Sequence, residues 1–322
     1  MNIKNNTGSA EFAQGSYDCW ITNSEITGAV NDYGFAFYGG VYNSGITDSL
    51  IGGNGGDGVT VLNDGGQTVA SHDIIIAKNV IWGNAAAGVG VRSNGGATDT
   101  HKRIAISGNT IYGNNQQNNP GIGGIYLYNV YAVTVNGNTI HDDGNGGVSS
   151  AGIDITTSAY NVNVTGNLIY NEGQGGGLGV GITLNGPFAS IIGNTIWDDQ
   201  STKTMAYAIN GTVGVSTSII GNTFYGTIGT RMNSNLKTDT IAINNTGYNP
   251  VGSKSPPVPD STSAFSNPYG APATVYITGG TMTDVSVAGT QVGTGAGTYR
   301  VGAKQSITLT YSAAPTWVWI VE

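Results

Sequence analysis

Apolar residues recur along this chain in two interleaved patterns. The first is Gly-Asn-x-Ile followed by an aromatic residue: Gly108-Asn109-Thr110-Ile111-Tyr112, Gly137-Asn138-Thr139-Ile140-His141, Gly166-Asn167-Leu168-Ile169-Tyr170, Gly193-Asn194-Thr195-Ile196-Trp197 and Gly221-Asn222-Thr223-Phe224-Tyr225, with Lys78-Asn79-Val80-Ile81-Trp82 as an earlier variant. Successive asparagines are 30, 29, 29, 27 and 28 residues apart. Weaker copies precede them at Ser24-Glu25-Ile26 and Ser49-Leu50-Ile51, and Asn245 marks a last one. The second pattern runs in phase with the first: Gly34-Phe35-Ala36-Phe37, Gly58-Val59-Thr60-Val61, Gly88-Val89-Gly90-Val91, Gly124-Ile125-Tyr126-Leu127, Gly152-Ile153-Asp154-Ile155 and Gly181-Ile182-Thr183-Leu184. Its apolar residues lie two apart, the period of a strand with one buried face.

A near-constant repeat of short strands and turns predicts a solenoid in which each strand pairs in parallel with its equivalent one coil away. About eight coils at the inter-strand spacing of about 4.8 Å make a rod on the order of 40 Å long. The expectation is that residues 17–245 form stacked coils, with Asn79, Asn109, Asn138, Asn167, Asn194 and Asn222 in one internal column. Length changes at Asp64–His72, Gly95–Arg103, Asn114–Ile122 and Gly144–Ser150 predict protruding loops. The domains expected are a parallel β-helix over 1–248, an extended proline-containing linker over 249–263, and a small all-β, sandwich-like domain over 264–322. The last is read from alternating runs such as Thr274-Val275-Tyr276-Ile277 and Trp317-Val318-Trp319-Ile320-Val321.

Composition agrees with an all-β chain. Gly accounts for 53 of 322 residues and charged residues for only 9%, against roughly 7% and about 25% in an ordinary domain. The net charge of −8 comes without a basic stripe, so nucleic acid is not an expected partner. No apolar run reaches the roughly 18 residues that a membrane span requires, and no signal peptide is recognised. The lone Cys19 excludes an internal disulfide and reads as a structural thiol. Met1 to Gly15 shows no amphipathic helix to cover the open strand edges of a first coil. The expectation is therefore that upstream residues or another subunit cover that end, as in a homo-oligomer or a longer chain.

On these repeats the chain resembles the right-handed parallel β-helices of the pectate-lyase-like superfamily, over roughly residues 17–245. The resemblance implies a rod that engages polysaccharide at an extracellular or virion surface, and the C-terminal part resembles the β-rich tails of phage tail-spike and extracellular carbohydrate-active proteins. Asp32-Tyr33-Gly34-Phe35-Ala36-Phe37 is similar to the Tyr-Gly-Phe-Asp-Pro-His segment of mannuronan C-5-epimerases, but Ala36 stands where the acidic group would be. Of the polygalacturonase motifs only the Asp-Asp element is matched, at Asp142-Asp143 and Asp198-Asp199.

Three surfaces carry candidate chemistry. Trp82, Tyr112, His141, Tyr170, Trp197 and Tyr225 should form an aromatic ladder, either a covering of the rod or a platform for sugar rings, with Trp197 a candidate ligand contact. Asp142, Asp143, Glu172, Asp198 and Asp199 fall at one turn on three successive coils. Read as solvated turns they do nothing; read as a site, Asp142, Asp143 and Glu172 supply acid and base groups, while Asp142, Asp198 and Asp199 would recruit a cation such as Ca²⁺. The outer face of the Gly-Ile-x-Leu strands gathers Arg92, Tyr126, Tyr128 and Asp154, a set suited to an oligosaccharide groove with Asp154 as a further catalytic candidate. The sequence leaves two classes open: a polysaccharide-binding rod, cleaving by hydrolysis or elimination as a glycoside hydrolase or polysaccharide lyase, and a non-enzymatic structural or adhesive rod.

Overall fold

The computed structural model describes residues 2–321 apart from 64–68, 94–99, 118–121, 145–149, 174–178, 203, 212–215, 233–239, 248–252 and 270. All regular structure among the described residues is strand or turn. Three parallel sheets, here called A, B and C, each run nine strands long, with the short strand Ala159–Tyr160 added to sheet C. One strand from each sheet makes a rung, so the described residues form nine rungs where about eight were expected.

The additional rung lies at the start. Asn2–Lys4 pairs with Glu25–Thr27 in sheet A, and Ala10–Phe12 pairs with Phe35–Phe37 in sheet B. The first residues are therefore coil themselves, not a segment preceding it at residue 17. They escaped the repeat because Asn2-Ile3-Lys4 keeps only the central apolar residue, Ile3, in register with Ile26.

Sheet A holds the Ile-aromatic segments in register, Ile81 beside Ile111, then Ile140, Ile169, Ile196 and Phe224. All are buried. Sheet B holds the Gly-Ile-x-Leu segments, which for the site are Val59–Asn63, Val89–Ser93, Ile125–Tyr128, Ala151–Ile155 and Gly179–Leu184. Inward-facing Val, Ile and Leu side chains of the three sheets fill one continuous core.

The six expected asparagines form one buried column. Asn79, Asn109, Asn138, Asn167 and Asn194 each donate backbone N–H and side-chain Nδ2 to the Oδ1 of the next asparagine, at 2.9–3.0 Å, and Asn222 does the same to Asn245. Each Nδ2 also reaches a carbonyl of the preceding sheet C strand, as from Asn138 to Ile106 O at 3.0 Å. The ladder satisfies, rung after rung, the amides that the bend between sheets C and A takes out of the strand pairing.

A second ladder closes the bend between sheets A and B. Asn54, Asn84 and Asn114 are linked in the same way, with Nδ2 to Oδ1 distances of 2.8 Å. The residue before each is a glycine with positive φ, Gly53, Gly83 and Gly113, which turns the following side chain into the coil. The repeated glycines Gly58, Gly88 and Gly124 have a different cause: an added Cβ would come within 2.7 Å of Asn84 Nδ2, 3.0 Å of Asn114 Nδ2 and 2.8 Å of Asp143 Oδ2, respectively.

Of the expected loops, residues 64–68, 95–99, 118–121 and 145–149 lie outside the described residues. Their flanks are not loops. His72–Ala77 and His101–Ser107 are sheet C strands, and His101 is fully buried with Nδ1 accepting the Ser71 amide at 2.9 Å.

After the rod come two four-stranded antiparallel sheets around a second core that includes Val275, Ile277, Ile307, Leu309, Trp317 and Trp319. The proline-containing stretch is bound to them. Ser253–Lys254 pairs with Trp319 and Ile320, while Trp317 Nε1 and the Tyr311 hydroxyl donate to the carbonyls of Pro256 and Pro259, each at 2.7 Å.

Candidate functional site

The five carboxylates grouped at one turn separate into different environments. Asp142 and Asn171 occupy the positive-φ place of Gly53, Gly83 and Gly113, both at φ 56°. The next residues, Asp143 and Glu172, consequently point into the coil and continue the second ladder. Asp143 Oδ1 accepts Asn114 N and Nδ2 at 2.7 and 3.0 Å. Both side chains are fully buried, so neither can touch a polymer on the rod, which corrects their assignment as catalytic residues.

Asp198 is buried as well, but as a brace. Its Oδ2 accepts the amides of Thr204 and Met205 at 2.8 and 2.9 Å, and its Oδ1 accepts that of Gln200 at 3.1 Å. Asp199 is exposed and exchanges hydrogen bonds with Asn171, while Asp142 sits 2.7 Å from His141 Nδ1. Asp142, Asp198 and Asp199 therefore do not converge on one point, and no metal-binding group of three or more His, Cys, Asp or Glu residues forms among the described residues. The expected Ca²⁺ ligand set is thus not brought together among the described residues.

The aromatic ladder of sheet A is real, and its geometry decides its role. Tyr112, His141, Tyr170, Trp197 and Tyr225 stack face to face, with centroids 4.3–5.4 Å apart and interplanar angles of 4–13°. Both faces of Trp197 are covered, one by Tyr170 and one by Tyr225. A sugar needs a free ring face, so Trp197 is a stacking element of the rod rather than a platform.

The outer face of sheet B does assemble the predicted set. Strand register places Thr60, Gly90, Tyr126, Asp154 and Thr183 in one column and Leu62, Arg92 and Tyr128 in the next. The Arg92 guanidinium lies 5.3 Å from the centroid of the Tyr126 ring, and the rings of Tyr126 and Tyr128 are parallel at 6.4 Å. Beneath them Arg92 Nη2 pairs with Asp57 Oδ2. Asp57 is completely buried, and burial raises its pKa against the opposing pull of Arg92 and the Ala87 amide. Asp57 was not anticipated; it lies one residue before the repeated Gly58, a turn position whose neighbours Gly55 and Gly56 hide it in the composition. Gly90 makes room for this arrangement, because a Cβ there would displace the Asp57 carboxylate or the Arg92 guanidinium.

Asp154 differs from the other carboxylates. It faces outward beside Tyr126 yet is only 7% exposed, and its Oδ1 has no hydrogen-bond partner. Desolvation pushes its pKa up to about 7. Such a group exchanges a proton near neutral pH. Burial, followed by the charge of Asp154, raises the Tyr126 phenol as well.

The fold places the chain in a class, the right-handed β-helices. It belongs to that family, whose model, described as "Right handed beta helix region", matches residues 1–169. Among solved structures it is similar to the Azotobacter vinelandii mannuronan C-5 epimerase AlgE6 A-module, with TM-score 0.53 and 17% identity over 71% of this chain and 64% of that one. It is also similar to DFA-IIIase from Arthrobacter chlorophenolicus A6, with TM-score 0.51 and 14% identity over 68% of this chain and 53% of that one. A third similar structure, Geobacillus virus E2 ORF18, has TM-score 0.49 and 16% identity over 96% of this chain and 62% of that one. The chain spans less than two-thirds of the length of each. No curated protein sequence matches it.

Proposed function

We propose that the outer face of sheet B, across the rungs that carry Arg92, Tyr126, Tyr128 and Asp154, binds a polysaccharide at an extracellular or virion surface, and that Asp154 transfers a proton to or from it. The observation that carries this reading is the Asp154 carboxyl: desolvated, without a partner for Oδ1, and raised to about 7 on an outward-facing strand position. A rod that served only as a spacer would gain nothing from leaving a polar group so poorly satisfied. Tyr126 and Tyr128 offer ring surface, and Arg92 offers a donor already oriented by Asp57.

The chemistry this face favours is proton abstraction, as in elimination, over two-carboxylate hydrolysis. Hydrolysis requires a second available carboxyl group on the opposite side of the scissile bond, and the nearby Asp57 is buried and engaged by Arg92 and the Ala87 amide. The test is a panel of neutral and acidic polysaccharides, scored for binding and for the absorbance of unsaturated products. Asp154→Asn should lower turnover on any responsive polymer by roughly 10²-fold or more while leaving the melting temperature at neutral pH no lower than that of the parent. Turnover unchanged in D154N, or no polymer bound anywhere in the panel, would overturn the proposal and leave the non-enzymatic rod.

A further inference from the structure

Asp143 and Glu172 are the two most enclosed carboxyl groups with unanswered hydrogen-bonding capacity, and nothing in the proposed site uses them. Asp143 Oδ2 and both carboxyl oxygens of Glu172 are buried without a side-chain hydrogen-bond partner, and of the backbone only the Asp143 amide faces the Glu172 carboxyl. The strand register of His141 with Tyr170, and the Gly173 amide donating to Asp143 O at 3.0 Å, put Glu172 in the place directly after Asp143 in the second ladder. In the rungs before them that place is filled by asparagine, whose Nδ2 donates to the next rung. At Asp143 the Nδ2 position is taken by Oδ2, and an ionised carboxylate has no proton to donate onward.

We propose that Asp143 and Glu172 form a protonated carboxyl pair, a proton-operated latch that holds the strands bearing Tyr126 and Asp154 against the coil. The neutral Asp143 supplies the donor that the ladder requires, and Glu172 receives it. The coupling to those strands is steric. A Cβ on Gly124, two residues before Tyr126, would lie 2.8 Å from Asp143 Oδ2, and one on Gly152, two residues before Asp154, would lie 3.2 Å from Glu172 Oε1. On the side of sheet B, an ionised pair could not move towards these strands without displacing them.

Of the titratable groups facing the pair, Asp142 favours the protonated state and His141 opposes it. Asp142 lies on the same turn and His141 just before it, Asp198 occupies the next rung, and Asn114 and the two glycines contribute no charge. Burial raises Asp143 to about 7, with the Asn114 hydrogen bonds and His141 pulling the other way. Burial, then the charges of Asp143 and Asp142, raises Glu172 well above the ordinary carboxylate range against the pull of the Asp143 backbone amide. Because the folded-state pKa values are raised, the stability the pair confers is complete below about pH 4 and is lost as pH rises through about 7 and beyond.

Thermal melting of the whole chain from about pH 5.5 to about pH 9 tests the latch, since within this window carboxylates with lowered pKa, such as Asp73, are already ionised. The parent should lose several degrees in melting temperature across the window. Asp143→Asn combined with Glu172→Gln keeps neutral groups of the same shape and should remove at least half of that loss. Asp154→Asn, run in parallel, subtracts the contribution of the outer carboxyl, and hydrogen exchange should show the pH-dependent opening at residues 124–128 and 151–155. Parallel pH profiles for the parent and D143N/E172Q, or failure of the double variant to fold at about pH 5.5, would overturn the proposal. So would a parent melting temperature at about pH 8 that falls on addition of a chelator, because a cation rather than protons would then neutralise the pair.

Discussion

Replacing Asn138 with alanine probes the internal ladder where it is most regular. Its Oδ1 accepts the Asn109 backbone amide and Nδ2, both at 2.9 Å, and its own Nδ2 donates to Ile106 O at 3.0 Å and Asn167 Oδ1 at 2.9 Å. Alanine removes all four bonds and leaves the Asn109 amide buried without an acceptor; the Asn138 backbone amide keeps its bond to Asn167. At about 1 kcal/mol for each of the other three bonds, and about 1–3 kcal/mol for the stranded Asn109 amide, the combined loss is roughly 4–6 kcal/mol. That is a large part of the roughly 5–15 kcal/mol that separates folded from unfolded protein, and it corresponds to a fall of roughly 10–20 °C in melting temperature. Asn138→Ser should cost about half as much, because a serine hydroxyl can still receive the preceding amide, as Ser49 receives that of Ser24 at 3.1 Å. Hydrogen exchange should place the loss in the rungs of Asn109 and Asn138, since contacts in a solenoid reach only to neighbouring rungs. If N138A melts within about 1 kcal/mol of the parent and the Asn109 amide stays protected, the ladder is not what holds the bend.

Two further substitutions separate structure from function on the outer surfaces. Gly90→Ala should destabilise by about 1–3 kcal/mol through overpacking and weaken polysaccharide binding, because its methyl group must displace Asp57 or Arg92; a variant with the parent's melting curve would show that the strand can relax around it. Trp197→Ala should lower stability by about 1–3 kcal/mol through the loss of two stacked neighbours and leave polysaccharide affinity unchanged. Loss of affinity at unchanged stability would return Trp197 to the role of a sugar platform.

The first ladder could be read from the chain because one residue type, asparagine, marks every rung from Asn79 to Asn222 and precedes a strand of constant pattern. The second ladder carries an equally regular signature, Gly53-Asn54, Gly83-Asn84 and Gly113-Asn114, but it changes identity partway, to Asp142-Asp143 and Asn171-Glu172. What the sequence conceals there is a backbone angle. A left-handed residue reverses the side-chain direction of its successor, so two adjacent aspartates read as one solvated turn are in fact one outside the coil and one inside. Asp198 departs further, because Trp197-Asp198 continues the strand without the left-handed residue. The group of Arg92, Tyr126, Tyr128 and Asp154 was legible because strand alternation fixes it, whereas their burial depends on neighbouring rungs and on Asp57, which periodicity does not reveal.

The two ladders also divide the molecule into a part that keeps time and a part free to vary. Asn79 and Asn84, Asn109 and Asn114, Asn138 and Asp143, and Asn167 and Glu172 are each five residues apart, although the coils to which they belong differ in length. From Asn79 to Glu172 the differences in coil length have therefore been taken up outside sheet A and the bend that follows it. A lineage carrying this rod can lengthen or exchange its other turns one at a time, and so alter what the outer face meets, without shifting the phase of any rung beyond the one it edits. For the same reason, transplanting a turn from another solenoid should succeed between sheets A and B only when it leaves this five-residue spacing untouched.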